Sequence, residues 1–379
     1  MAKDINEKPF DEATQLKLKI FGETFQEWFP VFIHDNYTKK VYIYDFFSGS
    51  GTDIEGNFGS PLVLLDMAKG ENRKYCSKVS KVISFTFNDS VKGKSSELQQ
   101  NVNNHIAACQ KNNRCGECVY KYQVKQSDFR SFFQDDAVQR ILNNNEFGKF
   151  IPLDQYGFKE IDKRVFLQLI SYPKTDFIFF ISSSFIKRFK EHPNTKAHID
   201  TSQIKFDESL PKECHGTIAD YFKTLIPKDK LYYLHHFTIQ KKTGKGNYYG
   251  LIFGTSHTLG MEKFLKVCWR NDRRSGESNC NIDNDYEEDT LFYDPLSSNK
   301  KDRVKKNIKN HILSGKIIDN ISGLKFALQQ GCEPVLFTEV VKELEKKKKI
   351  ERYGELNYSS TNISKAKKYN IKVCGNENN

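Results

Sequence analysis

Apolar positions along residues 12–34 fall at Leu16, Ile20, Trp28 and Phe29, near helical spacing, with Phe21 and Phe25 one turn apart on an adjoining stripe. This predicts an amphipathic helix within residues 1–38 that packs on a core. After a polar turn the pattern shortens to VYIYDFF, a β-branched and aromatic run that ends in Ser48-Gly49-Ser50-Gly51. Ser60-Pro61 then reads as a helix start, a capping hydroxyl followed by proline at the first helical position, and LVLLDMAK runs to a stop at Gly70.

The same alternation continues. VISFTFND is a second strand, 95–110 a helix, VYKYQVKQSDF a third strand, Phe150–Asp154 a fourth and Thr175–Ile181 a fifth, with a helical stretch near 160–170. Strands alternating with helices predict a mostly parallel sheet covered on both faces. From Leu231 the rhythm changes to LYYLHHFTIQKK, a Gly-rich turn at 243–246, and NYYGLIFGTSH, an antiparallel hairpin. Residues 261–269 read as a helix, and 270–300 as a polar linker with acids at Asp283, Asp285, Glu287, Glu288 and Asp289. The tail, 301–379, shows helices at 323–330 and 337–349, then strand, turn and strand at 350–353 and 356–359, the outline of a winged helix. The competing reading of the tail is an accessory helical cap. The expected organisation is therefore a helix at 1–38, a Rossmann-like α/β domain at 39–269, a linker, and a small basic domain.

Charge sharpens the last point. Residues 300–379 hold 18 Lys and Arg against 9 Asp and Glu, so most of the chain's net +11 lies in its last fifth. A localised positive field suits a polyanion, and Lys346, Lys347, Lys348, Lys349 and Arg352 are the candidate nucleic-acid contacts. A solvated Lys-rich helix face is the alternative. No apolar run approaches the roughly 18–20 residues of a membrane span, and no secretion signal is legible, so the expectation is a cytoplasmic chain with reduced or metal-bound thiols.

The chemistry gathers at strand ends. Asp45-Phe46-Phe47-Ser48-Gly49-Ser50-Gly51 puts an acid and two glycines at the carboxyl end of the first strand, where a doubly wound sheet keeps its ligand crevice. It has neither the third glycine of a dinucleotide fingerprint nor a Walker loop. A cofactor with a charged amino-acid end and no pyrophosphate, S-adenosylmethionine, fits. Asp89 ends the second strand, where a carboxylate can accept both ribose hydroxyls, and Asp128 with Phe129 ends the third, where an acid and a ring can hold adenine. The cofactor set is thus Asp45, Phe47, Gly49, Gly51, Asp89 and Asp128; the competing reading makes these acids turn and helix caps.

YIYDFFSGSG, GSPLVLL, LDQYG, KTDFIFF and the late YYGLIFGTSHTLGMEKFLKVCW together resemble the three-Cys-motif partner protein family, which is similar to class I methyltransferases. The resemblance runs through most of the chain. It implies a Rossmann-like S-adenosylmethionine-binding fold, methyltransferase activity, and association with a protein that carries a three-cysteine motif; its pattern falls on Asp45, Gly49, Gly51, Gly59, Ser60 and Pro61. The fourth strand of that family ends in an Asp-Pro-Phe-Gly type sequence, whereas this chain has Leu153-Asp154-Gln155-Tyr156-Gly157. Amino-methylating enzymes accept amine hydrogens and stack a base at such a loop, which makes Asp154 and Tyr156 the candidate catalytic residues. A structural turn is the alternative.

One further constellation is His105, Cys109, Cys115 and Cys118, in which a helical His/Cys pair precedes a Cys-x-x-Cys. Four such ligands suit structural zinc; reduced surface thiols are the other reading. The expected activity is an S-adenosylmethionine-dependent methyltransferase acting on nucleic acid with a partner protein, and the alternative is a methyltransferase-like adaptor without chemistry.

Overall fold

The computed structural model describes residues 7–71, 74–76, 80–113, 116–208, 213–241, 247–279, 299–354, 363 and 366–374. The 243–246 turn, the 283–289 acids, the 356–359 strand and Cys115 lie outside the described residues. The chain divides into two compact units, Met1–Ser256 and His257–Asn379.

In the first unit, α1 (Glu12–His34) precedes β1 (Lys40–Asp45), α2 (Ser60–Lys69), β2 (Val82–Asp89), α3 (Lys92–Asn113) and β3 (Lys121–Gln126). Then follow α4 (Phe129–Phe133), α5 (Asp136–Leu142), β4 (Phe147–Leu153), α6 (Lys163–Ser171) and β5 (Thr175–Ile181). The short helices α7 (Ser183–Arg188) and α8 (Pro193–Lys196), then α9 (Cys214–Thr224), lead into β6 (Tyr233–Gln240) and β7 (Tyr248–Thr255). The strands form one sheet in the order β3-β2-β1-β4-β5-β7-β6. All neighbours are parallel from β3 to β5, and β7 runs antiparallel between β5 and β6. This is the mostly parallel sheet with a late antiparallel hairpin that the alternation predicts.

Side-chain alternation explains why both faces are buried. On one face Phe25 of α1 packs on Phe85 and Phe150, with ring centroids 6.2 and 5.4 Å away. On the other, Tyr44, Ile151, Phe177 and Phe179 meet Phe166 of α6 and Phe222 of α9 in one apolar cluster. Helix α1 spans the sheet from end to end: Lys17 reaches Asp154, just past the carboxyl end of β4, and the Trp28 indole donates to Asp176 at the start of β5 (2.7 Å). Burial pushes the Asp176 carboxyl up to about 6.

Local corrections have physical causes. The cap of α2 is Gly59, not Ser60; the Ser60 hydroxyl donates to Asp45 instead (2.6 Å). Helices α4 and α5, unforeseen in the sequence, start from the capping carboxylates of Asp128 and Asp135.

The second unit holds α10 (Thr258–Asn271), α11 (Lys300–Leu313), α12 (Asn320–Gln329), α13 (Val335–Lys346), β8 (Ile350–Gly354) and β9 (Tyr369–Val373). Sequence reading groups 261–269 with the sheet; α10 instead belongs with the tail, where the Trp269 indole donates to the Gly331 carbonyl (3.0 Å). Asp272 ties the start of the expected linker into a capped turn, accepting from the backbone amides of Arg274, Ser275, Glu277 and Ser278. The strand paired antiparallel with β8 is β9. No helix among the described residues is long and apolar enough to cross a membrane.

Candidate active site

Parallel registers Asp45↔Phe87 and Asp89↔Gln126 bring the carboxyl ends of β1, β2 and β3 level. The loop after β1 is pinned from three sides. Ser48 N donates to the Asn88 carbonyl (2.9 Å), Gly49 N to the Asp89 carboxylate (3.0 Å), and Asn101 of α3 to the Ser50 carbonyl (2.9 Å). Gly49 and Gly51 take φ of 59° and 85°, a region open to glycine at little cost. A Cβ on Gly51 would lie 2.8 Å from Leu98. Gly51 thus lets the loop pack closely on α3, and both glycines let it turn at positive φ above the strand ends.

Asp45 lies under that loop, 1% exposed, accepting from Ser60 Oγ and from Phe47 N (3.2 Å). Burial pushes its carboxyl up to about 7; the Ser60 hydroxyl and Phe47 amide pull it back, and the nearby Asp154 charge adds to the rise. Phe47 is half-buried against Phe129, ring centroids 4.8 Å apart. Asp89 accepts from Val91 N as well as Gly49 N, and its oxygens keep further lone pairs for a ligand's hydroxyls. Asp128 is exposed and caps α4 through one oxygen, accepting from Ser131 N (3.1 Å), so the cap reading and a ligand contact coexist at this residue.

Two residues here went unforeseen. Asn88, 1% exposed, donates from its amide to the Phe46 carbonyl (3.2 Å) and the Ser127 carbonyl (3.0 Å), clamping three strand ends together. Its Oδ1 is buried without a protein partner, an orphan acceptor that native proteins rarely leave. Lys17 donates to both Asp154 oxygens, at 2.7 and 2.6 Å, with its ammonium 5.0 Å from the Phe180 ring. The signal for Lys17 was present in the sequence: it shares a helical stripe with Ala13, Phe21 and Trp28, so a charge there faces the interior.

In the loop after β4, Gln155 is buried and turned inward; its amide donates to the Phe180 carbonyl and accepts from Glu160 N and Ile161 N. It braces the loop and is spent for substrate. Tyr156 is 68% exposed.

The zinc expectation finds no support. Among the described residues no three His, Cys, Asp or Glu side chains gather to hold a metal. The His105 ring stands edge-on to Phe58 at 5.1 Å, and Cys109 Sγ lies 3.5 Å from the Asn113 amide; apolar contact and local helix bonding take up groups that the ligand reading needs. Cys118 is half-buried, and no described cysteine forms a disulfide. His257 caps α10 by accepting from Leu259 N (3.1 Å).

In the tail, Lys346, Lys347, Lys348 and Lys349 are exposed where α13 passes into β8, and Lys347 pairs with Glu343 at 2.5 Å. Arg352 departs from the expected surface contact: its side chain is 6% exposed, bonded to Glu345 and 5.3 Å from the Tyr369 ring, so it is engaged inside the unit.

No family model matches the chain, and no curated protein matches it. Solved structures that it resembles include the METTL16 MTase domain, at 9% identity over 62% of this chain and 66% of that one, TM-score 0.30. Another is the O-methyltransferase TomG from Streptomyces achromogenes in complex with SAM, at 7% over 65% and 91%, TM-score 0.33. A third is a dimethyladenosine transferase from Plasmodium falciparum, at 9% over 91% and 98%, TM-score 0.27. The sheet itself defines the fold class. Seven strands ordered 3-2-1-4-5-7-6, parallel except for the seventh, make a Rossmann-like class I methyltransferase fold.

Proposed function

We propose that the first unit binds S-adenosylmethionine over the ends of β1 to β3 and transfers its methyl group to a nucleic acid presented at Asp154. The observation that carries this is the convergence of a left-handed glycine loop with Asp45, Asp89, Asp128 and the orphan Asn88 Oδ1 at the carboxyl ends of three adjacent strands. Those groups fit the cofactor chemically: carboxylates for an ammonium and for ribose hydroxyls, and amide and carboxyl oxygens for an exocyclic amine. When bound, S-adenosylmethionine supplies an electrophilic methyl on a sulfonium. Asp154 orients the acceptor by taking a hydrogen bond from its N–H or O–H, and Lys17 holds the carboxylate still. The exposed lysines of the second unit add sequence-independent phosphate affinity. A three-Cys-motif protein is the partner that the family resemblance implies.

Titration of S-adenosylmethionine in a calorimeter tests this, with Asp45→Ala and Gly49→Val as controls. Binding that both substitutions abolish supports the reading, and tritiated methyl transfer to RNA or DNA then tests the acceptor. No heat from a well-folded protein overturns it.

A second reading is an adaptor without chemistry. It draws on the Asp154 loop, where Gln155 is consumed internally and the carboxylate is already neutralised by Lys17. It predicts binding without turnover on any nucleic acid.

A further inference from the structure

The loop after β4 and the segment after β5 are neighbours, joined by Ser182 N donating to the Gly157 carbonyl (3.0 Å). From this junction a row of aromatic rings leaves the core. Phe158 is buried; Phe185 packs against it at a tilt, centroids 5.6 Å apart and planes 33° apart, and Phe189 follows at 4.5 Å and 43°. Phe185 and Phe189 are 45% and 39% exposed, and Tyr156, two residues before Phe158, is more exposed still. Three large exposed rings within two short adjacent segments are costly for a surface that meets only water.

Their setting is rich in cations. Residues 182–208 carry Lys187, Arg188, Lys190, Lys196 and Lys205 alongside Glu191, Asp200, Asp207 and Glu208. Arg188 is exposed, held toward the Asn247 amide oxygen at 3.1 Å, and the Lys190 side chain keeps 40% of its surface in water. Lys159 is exposed on the opposite loop. The acids that partner Lys187, Lys190 and Lys196, namely Glu208 and Glu191, are themselves well exposed, so these pairs are weak and open to exchange for phosphate.

We infer that Tyr156, Phe185 and Phe189 form a stacking platform for a single-stranded nucleic acid, with Arg188, Lys190 and Lys159 on its phosphates, leading one nucleotide to Asp154. Rings with accessible faces, interleaved with cations, match a strand whose every base has a π-face and every linkage a negative charge. An aliphatic partner surface would ask for Leu, Ile or Met here, and those are absent from the exposed rings' own segments at 156–159 and 182–190 except Ile186, which is buried. The inference rests on the proposed reading in placing the reacting end at Asp154; the binding surface stands without turnover.

The test is fluorescence anisotropy with the full chain and a fluorescein-labelled single strand of roughly 12 nucleotides, as RNA and as DNA. Phe185→Ala/Phe189→Ala should weaken binding about 10-fold or more, with S-adenosylmethionine titration unchanged. Phe185→Leu/Phe189→Leu, which keeps apolar bulk and loses the π-face, should weaken it nearly as much and guards against a folding failure of the alanine variant. Comparison of the two strands tells whether the 2′-hydroxyl is read. Binding equal to wild type in both variants overturns the platform. No binding of either strand by the wild type also overturns it and leaves a protein as the occupant. Loss of cofactor binding with the platform intact counts against the methyltransferase reading alone.

Discussion

Lys17 Nζ stands 2.6 Å from Oδ2 of Asp154, with the two side chains 8% and 18% exposed, so a helix that precedes the whole sheet supplies the counter-ion of its candidate catalytic loop. Removing the cation strands a carboxylate close enough to Asp45 to repel it. Lys17→Met should therefore cost about 2–4 kcal/mol in urea unfolding, whereas Lys17→Met/Asp154→Leu should recover most of that loss. Equal destabilisation by the single and double variants would show that the pair is incidental.

The Asp45 carboxyl gives a pH signature. Its ordinary value of 3.8 is raised to about 7 in the folded chain, mainly by burial. As pH rises from about 4 to about 7 the unfolded chain ionises first, so this group subtracts stability over that window and no further above it. Asp45→Asn removes the titration. Its stability relative to wild type should grow from pH 5 to pH 7 and then level off; a difference independent of pH would falsify the assignment.

His215 acts in the opposite direction. It is fully buried, with Nδ1 2.7 Å from Ser183 Oγ and Nε2 3.1 Å from the Leu251 carbonyl, and burial depresses it from 6.5 to about 3. The neutral ring contributes stability that is complete above about pH 6.5 and falls as pH drops toward 3, because the unfolded chain takes the proton first. Ser183→Ala leaves a ring nitrogen unsatisfied and should cost about 1–3 kcal/mol at neutral pH by thermal unfolding.

In the second unit Lys348 sits at φ 53°, ending α13 in the left-handed conformation with its amide donating to the Glu345 carbonyl. Lys348→Gly should stabilise that unit by about 1 kcal/mol, read as slower hydrogen exchange along α13.

Arg352 and its lysine neighbours should part company in experiment. Neutralising Lys346, Lys347 and Lys349 should flatten the salt dependence of oligonucleotide binding without altering melting. Arg352→Gln should lower melting of the second unit, since it unpairs Glu345 and uncovers Tyr369. Identical behaviour of both sets would remove the distinction.

Much of this molecule is legible in its sequence because local periodicity and burial agree. The 12–34 helix and the 175–181 strand fall on their observed bounds, and Asp45, Gly49, Asp89 and Asp128 do stand at adjacent strand ends. What escaped depends on pairings across long separations or on side chains with two uses. Lys17 finds Asp154 137 residues away, and nothing local marks that partner. Gln155 offers an amide that suits a substrate equally well, yet two backbone amides of its own loop and the Phe180 carbonyl of β5 take it. Arg352 belongs to a run of cations whose charge is visible and whose direction is not. His105 shares its helix with Cys109 as the spacing requires, but Phe58 meets its ring first.

The end-to-end course of α1 also sets an order in time. Its contacts at Asp154 and Asp176 lie 137 and 148 residues downstream. At roughly 5–20 residues per second on the ribosome, the helix is made some 7–30 s before Asp154 and Asp176, although β1 and β2 follow it directly. Through most of that interval Phe25 has Phe85 of β2 to pack on and lacks Phe150 of β4. The anchoring of α1 at both ends of the sheet thus waits for β4 and β5, well after its first strands are available.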